Sequence, residues 1–179
     1  MHRIVASITS LAHHVVAVGK IPDLYRPESC PHCGVAGLWR HGCYFRKADR
    51  EFVDEASRYP VAIPRYHCTA CSRTCSRLPL CIAPRRWYNW ALQQAALLRV
   101  VLSGGSLRQC GRAMRIDRHT VRRWRDWLHL RTDTFAFFLR SRFPELGRCG
   151  DGDSFWRAVF DSLSLATAMA WLDRELIVP

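Results

Sequence analysis

Two Cys-x-x-Cys pairs, Cys30-Pro-His-Cys33 and Cys68-Thr-Ala-Cys71, stand 34 residues apart in this chain of 179. Each pair puts two sulfurs on one tight turn, and two such turns brought together supply the four thiolates of a tetrahedral site. Gly34, directly after Cys33, is suited to the positive φ that turns such a knuckle back on itself. Between the pairs, Leu38–Phe45 and Val61–His67 have the β-branched and aromatic content of strands. Arg46–Arg58 is polar and reads as a loop or a frayed hairpin end, and Pro60 and Pro64 suit an edge strand or a bulge. The expectation over 29–82 is a small β zinc ribbon holding one structural Zn2+ on Cys30, Cys33, Cys68 and Cys71. So small a unit has little core, so the metal would supply on the order of 10 kcal/mol or more of its folding free energy. A redox or buried cysteine set is the alternative.

Cys43, Cys75 and Cys81 lie near enough to complicate the site. All three are expected to pack as small hydrophobes, Cys75 on a short strand around Arg73–Ser76. His32, His41 and His67 become surplus once four thiolates close the shell. An odd count of nine cysteines with metal-type spacing argues against a disulfide scaffold. Ile4–Val18 is interrupted by His13-His14 and lacks a cleavage signature, and no run approaches the roughly 20 apolar residues of a membrane span. A reducing cytoplasmic setting, on the nucleoid, is expected, with no membrane partner and no small-molecule substrate.

Lys and Arg outnumber Asp and Glu by 27 to 15. The excess is localised: residues 72–142 hold 15 Arg against Asp117, Asp126 and Asp133, and the remaining 108 residues sum to zero. A localised basic excess is the footprint of a polyanion-binding surface. Arginine supplies nearly all of it, and its planar fork suits phosphate and guanine better than a point charge does.

Within that segment lies a two-helix signature. Ser106 and Gln109 form an S-x-x-Q capping box. Leu107, Cys110 and Met114 recur on one face, Ile116 is an apolar plug in the turn, and Asp117 is an N-cap for the second helix. Val121, Trp124 and Leu128 form that helix's inward stripe. This predicts a helix-turn-helix whose second helix lies in the major groove of double-stranded DNA. Arg118, His119 and Arg122 are candidates for base edges, and Thr120, Arg123 and Arg125 for phosphates. Arg108, Arg112 and Arg115, on the first helix and its turn, extend the same basic surface. A basic, solvated helix in an ordinary bundle is the alternative. Trp87, Trp90, Trp124 and Trp127 are expected in the core rather than as stacking platforms.

The fold class expected is therefore α+β: a β zinc ribbon followed by an all-α helix-turn-helix bundle with a helical tail. The segments are 1–28, a short amphipathic helix and a proline-marked connection that packs on the ribbon or on a second subunit; 29–82, the ribbon; 83–130, the helix-turn-helix, entered by a helix over Trp87–Leu102 that Gly104-Gly105 ends; and 131–179, the tail. In the entering helix Trp87, Trp90, Ala91, Leu97, Leu98 and Val101 form the apolar side. The tail reads as helices at Phe135–Phe143, Ser154–Phe160 and Ser164–Leu172. It is too apolar to stand alone in water, so it packs on the bundle, on a second copy or on another protein.

"CPHCG" at 30–34, "RYHCTACSRTCSRLP" at 65–79 and "SLRQCGRAMRIDRHTVRRW" at 106–124 resemble small bacterial proteins associated with insertion sequences, and the front portion of transposases that begin with a zinc ribbon and a helix-turn-helix. The chain departs from that pattern at Ser72, where a glycine is usual, and at Cys75, where an aromatic is commoner. The resemblance implies mobile-element DNA as target, in an accessory or repressor role, with a transposase or a second copy as partner. It does not imply catalysis. A three-carboxylate recombinase domain needs a whole domain's length, whereas 49 residues follow Leu130. Asp151-Gly-Asp153 reads as a turn. Two other readings remain open: a zinc-ribbon module that recruits a protein partner, and a transposase or nuclease fragment.

Overall fold

The computed structural model describes residues 3–47, 60–84, 88–176 and 178. The chain mixes α and β in the order β1 (Ile4–Val5), α1 (Leu11–Lys20), β2 (Trp39–Lys47), β3 (Pro60–His67), β4 (Thr74–Cys75), β5 (Leu78–Pro79), α2 (Trp90–Leu97), α3 (Leu107–Met114), α4 (Arg118–Arg142), α5 (Gly152–Ser162) and α6 (Ser164–Glu175).

The β half is a three-stranded antiparallel sheet in the order β2-β3-β4. Tyr66 pairs with Arg40 and Pro64 with Cys43, so two residues of β2, His41 and Gly42, face one of β3. Gly42 takes φ 70°, and this bulge shifts every later side chain of β2 to the other face. Cys43, expected to pack inside, is set opposite Pro64 and is exposed. Pro60 and Pro64 lie in the middle strand of the sheet, but β4 pairs only with Tyr66 and His67. Where the prolines sit, β3 is bonded on one side alone, so their missing N–H groups interrupt no ladder. Positions 48–58 of the expected loop lie outside the described residues.

The first 28 residues do more than form one helix. Ser10 caps α1, accepting from the His13 amide at 3.1 Å, and the helix lays His14 and Ala17 into the β half. There, Tyr25 donates to His14 Nδ1 (2.6 Å) and His14 Nε2 donates to the Ala62 carbonyl (3.0 Å), so a neutral imidazole bridges the helix turn to β3. Ahead of it, β1 pairs in parallel with β5, Ile4 opposite Leu78. Asp173, buried on α6, accepts from the amides of Arg3 and of Ile4 (2.8 Å). The β half and the helical half are thus joined at the chain's two ends.

The helical half has one continuous core. Trp90, Leu97, Val121, Trp124, Leu128, Phe135, Trp156 and Leu172 belong to the same buried cluster. Asn89 caps α2, accepting from Leu92 at 2.8 Å. Trp87 lies outside the described residues; Ala91, expected to be buried, is exposed, and Leu92 and Ala96 are buried instead. From Leu98 to Leu102 the helix widens into a π-turn, and Ser103 is its C-cap, just ahead of the expected Gly104-Gly105 stop. The separate tail helix expected at Phe135–Phe143 does not exist: α4 runs unbroken for 25 residues, across position 130. Asp151 caps α5 in a capping box with Ser154, and these hydrogen bonds hold its carboxyl below the usual carboxylate range. No helix among the described residues is long and apolar enough to cross a membrane.

Candidate metal centre and basic groove

The two cysteine turns are built alike. In the first, the Cys30 amide donates to Val35 O (2.8 Å); in the second, the Cys68 amide donates to Arg73 O (2.9 Å). Gly34 sits at φ 75° after Cys33, and Ser72 at φ 55° after Cys71. The expected positive φ at Gly34 is present, and its counterpart is met by a serine.

The four sulfurs converge. Cys30 and Cys71 are 3.6 Å apart, as are Cys33 and Cys68, and all four ligand atoms lie within 4.8 Å of one another. A disulfide would bring two sulfurs to about 2.05 Å. Thiolates at about 2.3 Å around a tetrahedral ion stand about 3.8 Å apart. The spacing therefore fits a metal shell, and the cluster could hold an ion such as zinc. Burial raises the Cys30 thiol, but the amides of His32 and Cys33 outweigh it and bring it down to about 7. The Val35 amide favours the Cys33 thiolate, yet burial and the neighbouring sulfurs push it up to about 12. Four sulfurs this close cannot all ionise without a cation among them.

The other candidates separate cleanly. Cys75 is buried beneath the cluster, and burial together with Cys30, Cys68 and Cys71 pushes its thiol up to about 11. It is a packing residue, as expected. Cys81 is half-buried against Ile63 and Ile82. His32 is exposed and meets Arg73 at 3.5 Å; His41 and His67 face each other with ring centroids 5.5 Å apart.

The second site lies where α3 and α4 begin. Ser106 and Gln109 form the expected capping box. Arg115 takes the left-handed conformation (φ 52°, ψ 40°) that ends α3. Ile116 is buried in the turn, and Asp117 accepts from the amides of His119 (2.8 Å) and Thr120 (3.3 Å). Gly111 has a role that the pattern did not reveal: a Cβ there would lie 2.7 Å from Ile116 O, so only glycine lets the turn close onto α3.

Val100, Gly105–Arg108, Arg118, His119, Arg122 and Arg125 line an open groove of about 610 Å³. Arg118, His119 and Arg122, expected together, line it with Arg108 of α3, which was expected on the same basic surface. Arg125 lines the groove too, but its guanidinium is held by Asp126 at 2.6 Å. Thr120 accepts from Arg123 at 3.1 Å, and Thr120, Arg123, Arg112 and Arg115 are outside the groove lining.

No curated protein and no solved structure matches the chain. Residues 30–124 match the profile of a family described as a domain of unknown function, DUF6431. The match opens on the first sulfur of the cluster and closes at Trp124 on α4, so it takes in both knuckles, α3 and the arginine-bearing first turns of α4. Covering more than half of the chain, it establishes that this protein belongs to the DUF6431 family.

Proposed function

We propose that the chain is a zinc-dependent, double-stranded DNA-binding protein in which a zinc ribbon supports a helix-turn-helix. The observation that carries this reading is the groove between α3 and α4, where Arg108, Arg118, His119 and Arg122 converge. Four imidazole or guanidinium groups at one concave place attract a polyanion, and arginine at the first turns of an inserted helix suits base edges. Asp117, the nearest acid in sequence, accepts two amide hydrogen bonds at its cap. Arg118, His119 and Arg122 face bases in this reading, and Thr120, Arg123 and Arg125 face phosphates.

Zinc is favoured over redox chemistry by an all-thiolate donor set at non-bonded distances. Bound there, the ion neutralises the thiolates and ties the two knuckles together; no chemistry on a substrate is assigned to it. Resemblance to insertion-sequence proteins supports an accessory or repressor role on mobile-element DNA. Within the helical half, Leu130 and Phe137 are exposed large apolar side chains two turns apart on α4, the place for a second copy or a transposase to touch.

The test is anisotropy titration on DNA selected by the protein from a random pool, in rising salt. The expected result is a linear fall of log K with log salt, with slope about −0.9 per phosphate neutralised. Arg122→Ala relaxes sequence preference, whereas Arg123→Ala weakens all sequences alike. Absence of binding to any duplex at low salt overturns the reading. For the metal, Cys30→Ser or Cys68→Ser should lose the zinc and unfold the β half; one zinc per chain retained in either variant rejects this ligand set.

A further inference from the structure

Among the described residues, the sheet that carries the knuckles leaves one face open. Trp39 stands opposite His67, and His67 opposite Thr74, so these three side chains cross the strands in a row. Trp39 is 69% exposed, and the His41 ring lies against that of His67. Two residues along β3, on the same face, the Arg65 guanidinium lies over the Tyr44 ring, 5.5 Å from its centroid. Further on, Ile63 is covered by Leu78 and Ile82. The open area is therefore confined to the knuckle end of the sheet.

An indole left this exposed contributes little to the core, and its surroundings narrow what would cover it. Arg65 lies on this face itself, and Arg73 immediately precedes Thr74 at the end of the same cross-strand row. An exposed indole and two imidazoles beside these two guanidinium groups match a molecule with flat rings and negative charge. Nucleotides have both: bases stack on indole and imidazole while phosphates meet arginine. In a duplex the base faces are already stacked on each other, so a flat indole on a sheet selects unpaired nucleotides.

We propose that the face formed by Trp39, His41, Arg65 and His67 binds an unpaired stretch of nucleic acid, separately from the duplex in the α3–α4 groove. The choice of nucleic acid rests on the DNA-binding reading above, but the two surfaces share no residue and can be tested apart.

The experiment uses the full-length, zinc-loaded protein and anisotropy titration of its selected duplex, blunt or carrying a tail of about six thymidines, and of oligothymidine alone. The tail should tighten binding by about fivefold or more, the worth of one good stacking contact. Trp39→Ala should abolish that gain with blunt-duplex affinity and zinc content unchanged, and Trp39→Phe should restore part of it. Arg122→Ala should weaken blunt and tailed duplex alike. The proposal is overturned if the tail gives no gain, if the gain survives Trp39→Ala, or if that variant weakens blunt duplex equally, which would place duplex on this face. Binding of oligothymidine without duplex would support this surface and remove the groove reading; binding of neither removes both.

Discussion

Gly34 and Ser72 occupy the same place in two knuckles, each one residue past a cysteine pair and each with positive φ, 75° and 55°. A residue with a Cβ pays about 1 kcal/mol or more in that region and glycine does not. Ser72→Gly should therefore raise stability by about 0.5–1 kcal/mol, with metal content unchanged. Gly34→Ala should lower it and weaken metal retention against a chelator. Chemical denaturation of the metal-loaded protein measures both signs; a destabilised Ser72→Gly would mean that the serine hydroxyl matters more than the backbone.

The turn between α3 and α4 poses the same question twice, with opposite answers. A methyl at Gly111 meets the Ile116 carbonyl, a backbone atom that cannot swing aside. Gly111→Ala should cost about 1–3 kcal/mol, as overpacking does. Arg115, left-handed at φ 52°, is strained where a glycine would not be, so Arg115→Gly should stabilise by about 0.5–1 kcal/mol. On the DNA-binding reading, the same variant should also weaken duplex affinity, because a positive charge beside the groove is gone. Thermal melts and anisotropy on the same preparations separate the two effects.

His14 gives the protein a pH dependence of known sign. Burial lowers its pKa from the ordinary value near 6.5, only partly offset by the hydrogen bond to Ala62. The unfolded chain then binds a proton more readily than the folded one, so stability rises with pH through this window. The contribution is present above about pH 6.5 and is lost as pH falls through the lower folded value. Denaturant midpoints between pH 5 and 7 should fall toward acid, and His14→Gln should flatten that slope. An unchanged slope would assign the dependence to other groups.

Asp173 accepts from the backbone amides of Arg3 and Ile4 while buried itself. Its removal leaves two donors without that partner, each costing about 1–3 kcal/mol if buried and unsatisfied. Asp173→Ala should therefore loosen β1 from β5 and expose the first residues to proteolysis. Amide exchange at Ile4 and Val5, rising well before exchange in the α4 core, is the expected signature.

What could be read from the sequence was what local chemistry specifies. The sulfur set, the Ser106–Gln109 box, the Asp117 cap and the Ile116 plug each follow from residue types a few positions apart. What escaped reading depends on distant partners or on one backbone torsion. The pairing of Ile4 with Leu78 joins two-residue strands that carry no periodicity. A bulge at Gly42 moved Cys43 to the other face of β2. The expected boundary at position 130 is absent because α4 stays helical through Arg131–Thr134, where Thr132 donates to Leu128 O (2.8 Å) and accepts from Trp156 on α5 (3.0 Å). The need for glycine at position 111 comes from the Ile116 carbonyl of the following turn, which residue types alone do not place.

At 1.5 Å per residue, α4 is a rod about 38 Å long, and neither glycine nor proline interrupts its sequence. Arg118 and Arg122 stand at one end, while Phe135 and Leu139 are clamped in the core near the other. Such a rod has no hinge at position 130. Val121 and Trp124 seat the arginine end in the same core as Phe135 and Leu139, so the orientation of the basic groove and the seating of α5 and α6 are fixed by one rigid element.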